Sequence, residues 1–224
     1  MVYNWIKSRL ARHWAGPCPL CGARSDGGFC RDCLQDLPWL GPACRLCARP
    51  LPESAGPVCG PCLQCPPPFD RVRAPLAWRR PVDRLVHALK FHERLELAAP
   101  LAALWRPGPL PDALVPVPLH PARLRERGYN QAALLARAAG RRWGVPVLEP
   151  CIRTRPTPPQ HRLDAAARRR NLDGAFACAP LPAGCRRLAL VDDVMTTGTT
   201  LRVLARALRA QGAAYIEAWV VARV

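Results

Sequence analysis

Two groups of residues in this sequence have the types and spacing to do chemistry. The first is cysteine. Nine of the twelve cysteines lie between Cys18 and Cys65. Eight form C-x-x-C pairs: Cys18/Cys21, Cys30/Cys33, Cys44/Cys47 and Cys59/Cys62, with Cys65 left over. Two such pairs complete a tetrahedral four-sulfur site of the kind zinc favours. The order points to two successive structural Zn2+ sites, one on Cys18, Cys21, Cys30 and Cys33, the other on Cys44, Cys47, Cys59 and Cys62. A cross-braced arrangement, with the first and third pairs sharing a metal, remains open at this stage. A disulfide scaffold is the competing reading; it is disfavoured because the N-terminus lacks a secretory leader and a reducing compartment is expected. A closed four-sulfur site leaves no coordination position for catalysis, so these sites hold structure. Cys65, Cys151, Cys178 and Cys185 read as small buried or surface residues.

The second group is "LALVDDVMTTGTT", Leu188 to Thr200. An apolar run ends in Asp192 and Asp193, then turns through Thr196, Thr197, Gly198, Thr199 and Thr200. If the run is a strand and a helix starts near Thr199, unused N–H groups and the positive end of the helix dipole face the turn. Gly198 admits an anion close to the backbone, and threonine hydroxyls add donors. Carboxylates repel phosphate but accept from sugar hydroxyls or reach Mg2+ through water. The pair therefore suggests a ribose 5-phosphate compound. Neither G-x-x-x-x-G-K-[ST] nor G-x-G-x-x-G occurs, so the ordinary nucleotide loops are excluded. A capped strand–turn–helix without ligand needs only one Thr or Asp.

The elements that would position these groups differ along the chain. The cysteine-rich part is Gly- and Pro-rich and poor in periodic apolar runs, so it needs a metal staple. "CPPPFDRV", Cys65 to Val72, marks its end. Beyond it, "VRAPLAW", "ALVPVPL", "VPVLEP", "RRLALVD" and "YIEAWVVARV" read as strands. "PVDRLVHALKFH", "LELAAPLAALW", "NQAALLARAAGRRWG" and "TLRVLARALRAQG" read as helices. Alternating strands and helices with short links predict an open, mostly parallel sheet flanked by helices, an α/β fold. The predicted organisation is an N-terminal amphipathic segment (1–16), a double zinc ribbon (17–66) and an α/β domain (70–224).

The formal charge is +17, from 33 basic and 16 acidic residues among 224. That balance fits anionic partners such as phosphate ligands or nucleic acid. Only Lys7 and Lys90 are lysines, and such a skew toward arginine also arises from codon bias. No run is long and apolar enough to span a membrane. Val2, Ile6, Leu10 and Trp14 give the first residues an apolar stripe, read as a helix over the next module. The expected location is cytoplasmic.

"LVDDVMTTGTT" closely resembles the phosphoribosyl pyrophosphate (PRPP) motif of type I phosphoribosyltransferases. "VPVPLHPARLRERGYNQAALLA" and "TRPTPPQHRLDAAARRRNLDGAF" are similar to blocks of the ComF family, which joins a cysteine-rich zinc module to a phosphoribosyltransferase-like domain. The resemblance covers nearly all the chain from Cys18 onward. It implies a type I phosphoribosyltransferase-like sheet, PRPP with Mg2+ as ligand, and a part in natural transformation through single-stranded DNA.

By the resemblance, Asp192 and Asp193 hold the ribose 2- and 3-hydroxyls, and Thr196, Thr197, Gly198, Thr199 and Thr200 hold the 5-phosphate. "PLHPARLRERGYNQ" stands where related enzymes contact pyrophosphate, with Arg123, Arg125 and Arg127 as candidates. Pro156 to Gly174 has the length and charge of a hood loop, with Arg168, Arg169, Arg170 and Asn171 foremost. Arg127, Arg168 and Arg169 are the candidate catalytic residues. His161 reads as a surface or hydrogen-bonding histidine, and Gly128, Tyr129 and Asn130 as a turn, with Tyr129 also able to stack on a base. No base-recognition site or nucleophile is evident. Three functions stay open: a DNA-uptake protein that binds PRPP and handles single-stranded DNA with other uptake proteins, an active phosphoribosyltransferase, and a PRPP-sensing regulator.

Overall fold

The computed structural model describes residues 16–154 and 175–224. The predicted N-terminal helix, His161 and the hood candidates Arg168, Arg169, Arg170 and Asn171 lie outside the described residues. The chain opens with a hairpin, β1 (Gly16–Pro17) and β2 (Arg24–Ser25), and two five-residue helices, α1 (Arg31–Gln35) and α2 (Gly60–Gln64). Next come β3 (Arg71–Arg73), β4 (Leu76–Ala77) and α3 (Val82–Phe91). A 3-10 turn (Leu95–Leu97) leads into α4 (Ala98–Ala102), β5 (Ala113–Pro116), α5 (Pro121–Arg127) and α6 (Gln131–Trp143). A hairpin, β6 (Cys151–Arg153) and β7 (Phe176–Cys178), precedes β8 (Arg187–Met195), α7 (Thr199–Ala210) and β9 (Tyr215–Arg223).

The main sheet runs β3-β9-β8-β5, with β4 also on β9, and every pairing in it is parallel. This is the open parallel sheet expected from the alternating pattern. "VPVLEP" contributes a single parallel bridge, Val147 to Leu114, on the far side of β5. The chain therefore leaves β5 toward the Val147 edge but leaves β8 toward β9. That reversal makes the β5/β8 boundary a topological switch point, where ligands of open parallel sheets bind beyond the carboxyl ends.

The central strands read as continuous apolar runs because both faces are covered. Leu188, Leu190, Ile216, Ala218 and Val220 pack with Leu201, Leu204, Ala205 and Leu208 of α7. Ala189, Val191, Trp219 and Val221 face Val82, Val86 and Leu89 of α3 and Leu135 and Ala139 of α6. Buried Glu217 is held by Arg73, at 2.5 and 3.0 Å, and by the Trp219 indole at 2.8 Å. Burial opposes its ionisation, but these donors outweigh it and hold Glu217 below its usual value.

Three local expectations are corrected. β8 does not end at Asp192, where "RRLALVD" closes, but runs on to Met195. "PARLRER", absent from the segments read as helices, is a helix: His120 Nδ1 accepts from Ala122 N–H at its start, and left-handed Gly128 ends it. Cys151 and Cys178 are not separate small residues. The β6/β7 register sets them opposite each other, with Cα atoms 4.0 Å apart, and they form a disulfide.

Candidate functional site

Side chains alternate along a strand, so adjacent residues point to opposite faces. On β8 that rule separates Asp192 from Asp193. Asp193 follows Val191 onto the α3 face, is 3% exposed, and meets Lys90: Nζ to Oδ2 is 2.7 Å. Asp192 follows Leu190 onto the α7 face and is half-buried. Burial, with the neighbouring Asp193 carboxylate adding to it, pushes the Asp192 carboxyl up to about 8, against the pull of Lys90. Asp192 Oδ1 accepts from Asp193 N–H at 2.9 Å, and Asp193 Oδ1 from Val194 N–H at 2.9 Å. The two carboxylates thus have different surroundings within one strand.

Beyond Met195 the chain turns through exposed Thr196 and Thr197 into α7. Gly198 has φ +72° and is the residue before the first helical turn. That left-handed backbone suits glycine. Thr197 and Thr199 hydroxyls lie 2.8 Å apart. Gly198 has no side chain to cap α7, and Thr197 Oγ1 accepts from Thr199 N–H at 3.4 Å. The first N–H groups of a helix have no intrahelical acceptor, so hydroxyl and backbone donors converge on the positive end of α7. The expected helix start at Thr199 is observed.

Arg153, at the end of β6, stacks over Phe176 with its guanidinium carbon 5.7 Å from the ring centre. Burial and the nearby Arg123 hold its guanidinium below the usual value, while Asp192 opposes them. Arg153, Arg123 and Asp192 therefore share one electrostatic neighbourhood. Arg127 is turned elsewhere: it donates to Gln131 Oε1 at 2.8 Å and lies 5.0 Å over the Phe91 ring. Tyr129 and Asn130 form the expected turn. The Tyr129 hydroxyl donates to Leu89 C=O at 2.7 Å, and Asn130 caps α6 while donating to Val117 C=O at 3.0 Å.

The sequence reading missed Lys90, Arg153 and Arg223. Lys90 carried a signal, because a lysine in a chain with 31 arginines is a departure from its habit. Arg153 and Arg223 carried none.

The cysteines gather in sequential order. Cys18, Cys21, Cys30 and Cys33 form one cluster and Cys44, Cys47, Cys59 and Cys62 the other, with each set of sulfurs within 4.8 Å of one another. This resolves the pairing against the cross-braced alternative. Cys21 to Cys30 and Cys47 to Cys59 are 3.6 Å apart, close to the ~3.8 Å that tetrahedral zinc–sulfur bonds of about 2.3 Å impose. Burial opposes ionisation of Cys44, but backbone N–H groups of Cys59, Leu46 and Cys47 outweigh it and hold the thiol down to about 7. Free sulfurs at this spacing, with thiolate-stabilising donors, fit Zn2+. The second cluster packs with Phe69, Val72, Met195 and Val220. Arg223 joins it to the turn: Nε donates to Cys47 C=O at 2.9 Å and Nη1 to Met195 C=O at 3.1 Å.

Residues 14–63 match the double zinc ribbon domain family. Proteins named DNA utilization protein YhgH, from Salmonella typhi and from Escherichia coli strain K12, are each 37% identical over 225 residues, covering 93% of this chain and 97% of theirs. The competence protein F of Haemophilus influenzae is 35% identical over 211 residues, covering 88% of this chain and 90% of its own.

Proposed function

Because this chain belongs to the ComF family, we propose that it supports DNA uptake by handling single-stranded DNA and binds PRPP at the switch point of its sheet. One observation carries the ligand: a half-buried carboxylate and a hydroxyl-lined helix start sit together at the carboxyl end of β8. Thr196, Thr197, Gly198, Thr199 and Thr200 take the 5-phosphate through backbone and hydroxyl donors. Asp192 accepts from the ribose hydroxyls, and the Lys90–Asp193 pair fixes the strand end behind it. Arg123 and Arg153 face the pyrophosphate, where the planar arginine fork suits phosphate oxygens. Arg168 and Arg169 complete the basic set that closes over it, whereas Arg127 is held over Phe91 by Gln131. Mg2+, when bound with PRPP, neutralises phosphate charge, with Asp192 the carboxylate nearest to hand.

The DNA part of the reading is supported by the relatives' names and by the +17 charge. Thermal unfolding with ligands tests the PRPP part. At a hundredfold excess over Kd, binding adds about 2.7 kcal/mol, a rise of roughly 5–10 °C for a chain of this size. PRPP with Mg2+ should give that rise, and pyrophosphate alone a smaller one. No rise with PRPP, or an equal rise with pyrophosphate alone, removes the ribose assignment.

A further inference from the structure

Helix α3 buries Val82, Leu85, Val86 and Leu89 against the sheet. His87 and Phe91, one turn apart, are exposed on its outer side, and Phe91 is 56% exposed. The core does not need this phenyl ring, yet polar and charged neighbours surround it. The His87 and Phe91 rings are 4.7 Å apart, and His92 follows 5.2 Å from His87. Arg127 of α5 lies 5.0 Å over the Phe91 ring and is held there by Gln131. Tyr129 ties the two segments together through Leu89 C=O. The ledge is therefore assembled from two elements and braced.

Its surroundings are basic. α5 presents Arg123, Arg125 and Arg127 against Glu126 alone, and it buries none of its residues. α3 offers Arg84 against Asp83, its Lys90 being paired with Asp193, and in the next turn Arg94 is paired with Glu96, leaving Glu93, so the basic charge of the ledge comes from α5. Lys90, next to Phe91 in the chain, reaches Asp193, so the ledge lies near the carboxyl end of β8. Flat rings and a guanidinium plane among phosphate-attracting charges are the chemistry that receives unpaired bases. A single phenyl ring among imidazoles and arginines is too polar for an apolar protein contact.

We propose that His87, Phe91, His92 and Arg127 form a stacking ledge for the bases of single-stranded DNA. This rests on the DNA reading above and adds to it the surface that would be used. Fluorescence anisotropy with a labelled oligothymidine on the zinc-loaded full chain tests it. Each stacked base lost is expected to weaken binding about 5- to 150-fold. Phe91→Ala should show that loss and Phe91→Tyr should not. An abasic oligonucleotide of equal length should bind wild type and Phe91→Ala alike. Thermal unfolding of both variants reports whether they are folded. If wild type binds no oligothymidine, the DNA reading itself falls and the ledge with it. If wild type binds and Phe91→Ala binds equally, the ledge alone is wrong. If Phe91→Ala weakens the abasic strand as much as oligothymidine, the loss is not stacking and the assignment is overturned.

Discussion

Asp192 carries its carboxyl at about 8, raised first by burial and then by Asp193. A folded-state value above the ordinary carboxylate value of about 4 means that the fold keeps a proton the unfolded chain releases. Stability contributed here is present at acid pH and is lost as pH rises from about 4 to about 8. Asp192→Asn should therefore gain melting temperature relative to wild type between pH 5 and pH 8; parallel pH profiles for the two proteins would count against the environment described. Asp193 differs in its surroundings: it is buried, with Lys90 Nζ 2.7 Å from Oδ2 and Val194 N–H donating to Oδ1. Lys90→Met leaves that charge alone and should cost up to about 3 kcal/mol, and adding Asp193→Asn should restore most of it. Denaturant unfolding of the four proteins in that cycle gives the coupling, and additive losses would show that the pair does not interact. The aspartates were legible as residue types because paired carboxylates beside a small-residue turn are rare in a basic chain. Their division was not, since it needs the strand to run to Met195 and α3 to lie on one particular face.

Strands and helices with one apolar period were readable, and α3, α6, α7, β8 and β9 lie where that period places them. α5 was unreadable for a physical reason: with no buried residue it has no apolar stripe to betray a helix. The β6/β7 hairpin escaped because each strand has three residues and the partners are far apart in sequence. The two cysteine clusters were legible from spacing, but their unequal attachment was not. All four cysteines of the second cluster are buried, in continuity with Met195, whereas Cys21 of the first is exposed. Arg223 spans from Cys47 C=O to Met195 C=O, so the second metal site and the threonine turn share one support. Structural zinc contributes folding free energy directly. Cys62→Ser should weaken PRPP binding about 2- to 30-fold, the range of coupling carried through packed contacts, while Cys33→Ser should change it little. Equal effects of the two substitutions on PRPP affinity would contradict the Arg223 link.

Over the whole molecule, the ribbons are fastened to the sheet rather than strung from it. Val72 N–H donates to Arg45 C=O at 2.9 Å, Ala77 N–H to Pro38 C=O at 2.8 Å, and Leu40 N–H to Pro75 C=O at 2.8 Å. The first ribbon contributes Cys18, Phe29 and Leu37 to the core on the α3 side, and the second joins the core on the α7 side. None of this was visible locally, because strand order and docking are set by contacts between distant segments. The order β3-β9-β8-β5 sets β8 directly beside β5, the strand that leads into α5. PRPP is proposed to bind at the carboxyl end of β8, and calorimetric titration with PRPP and Mg2+ tests that site on zinc-loaded wild type and on Asp192→Ala combined with Asp193→Ala. Saturable one-to-one binding to wild type is expected, and its loss, by tenfold or more (about 1.4 kcal/mol), in the double variant. Wild type that takes up no PRPP, or a folded double variant that binds it as tightly, would contradict the proposal.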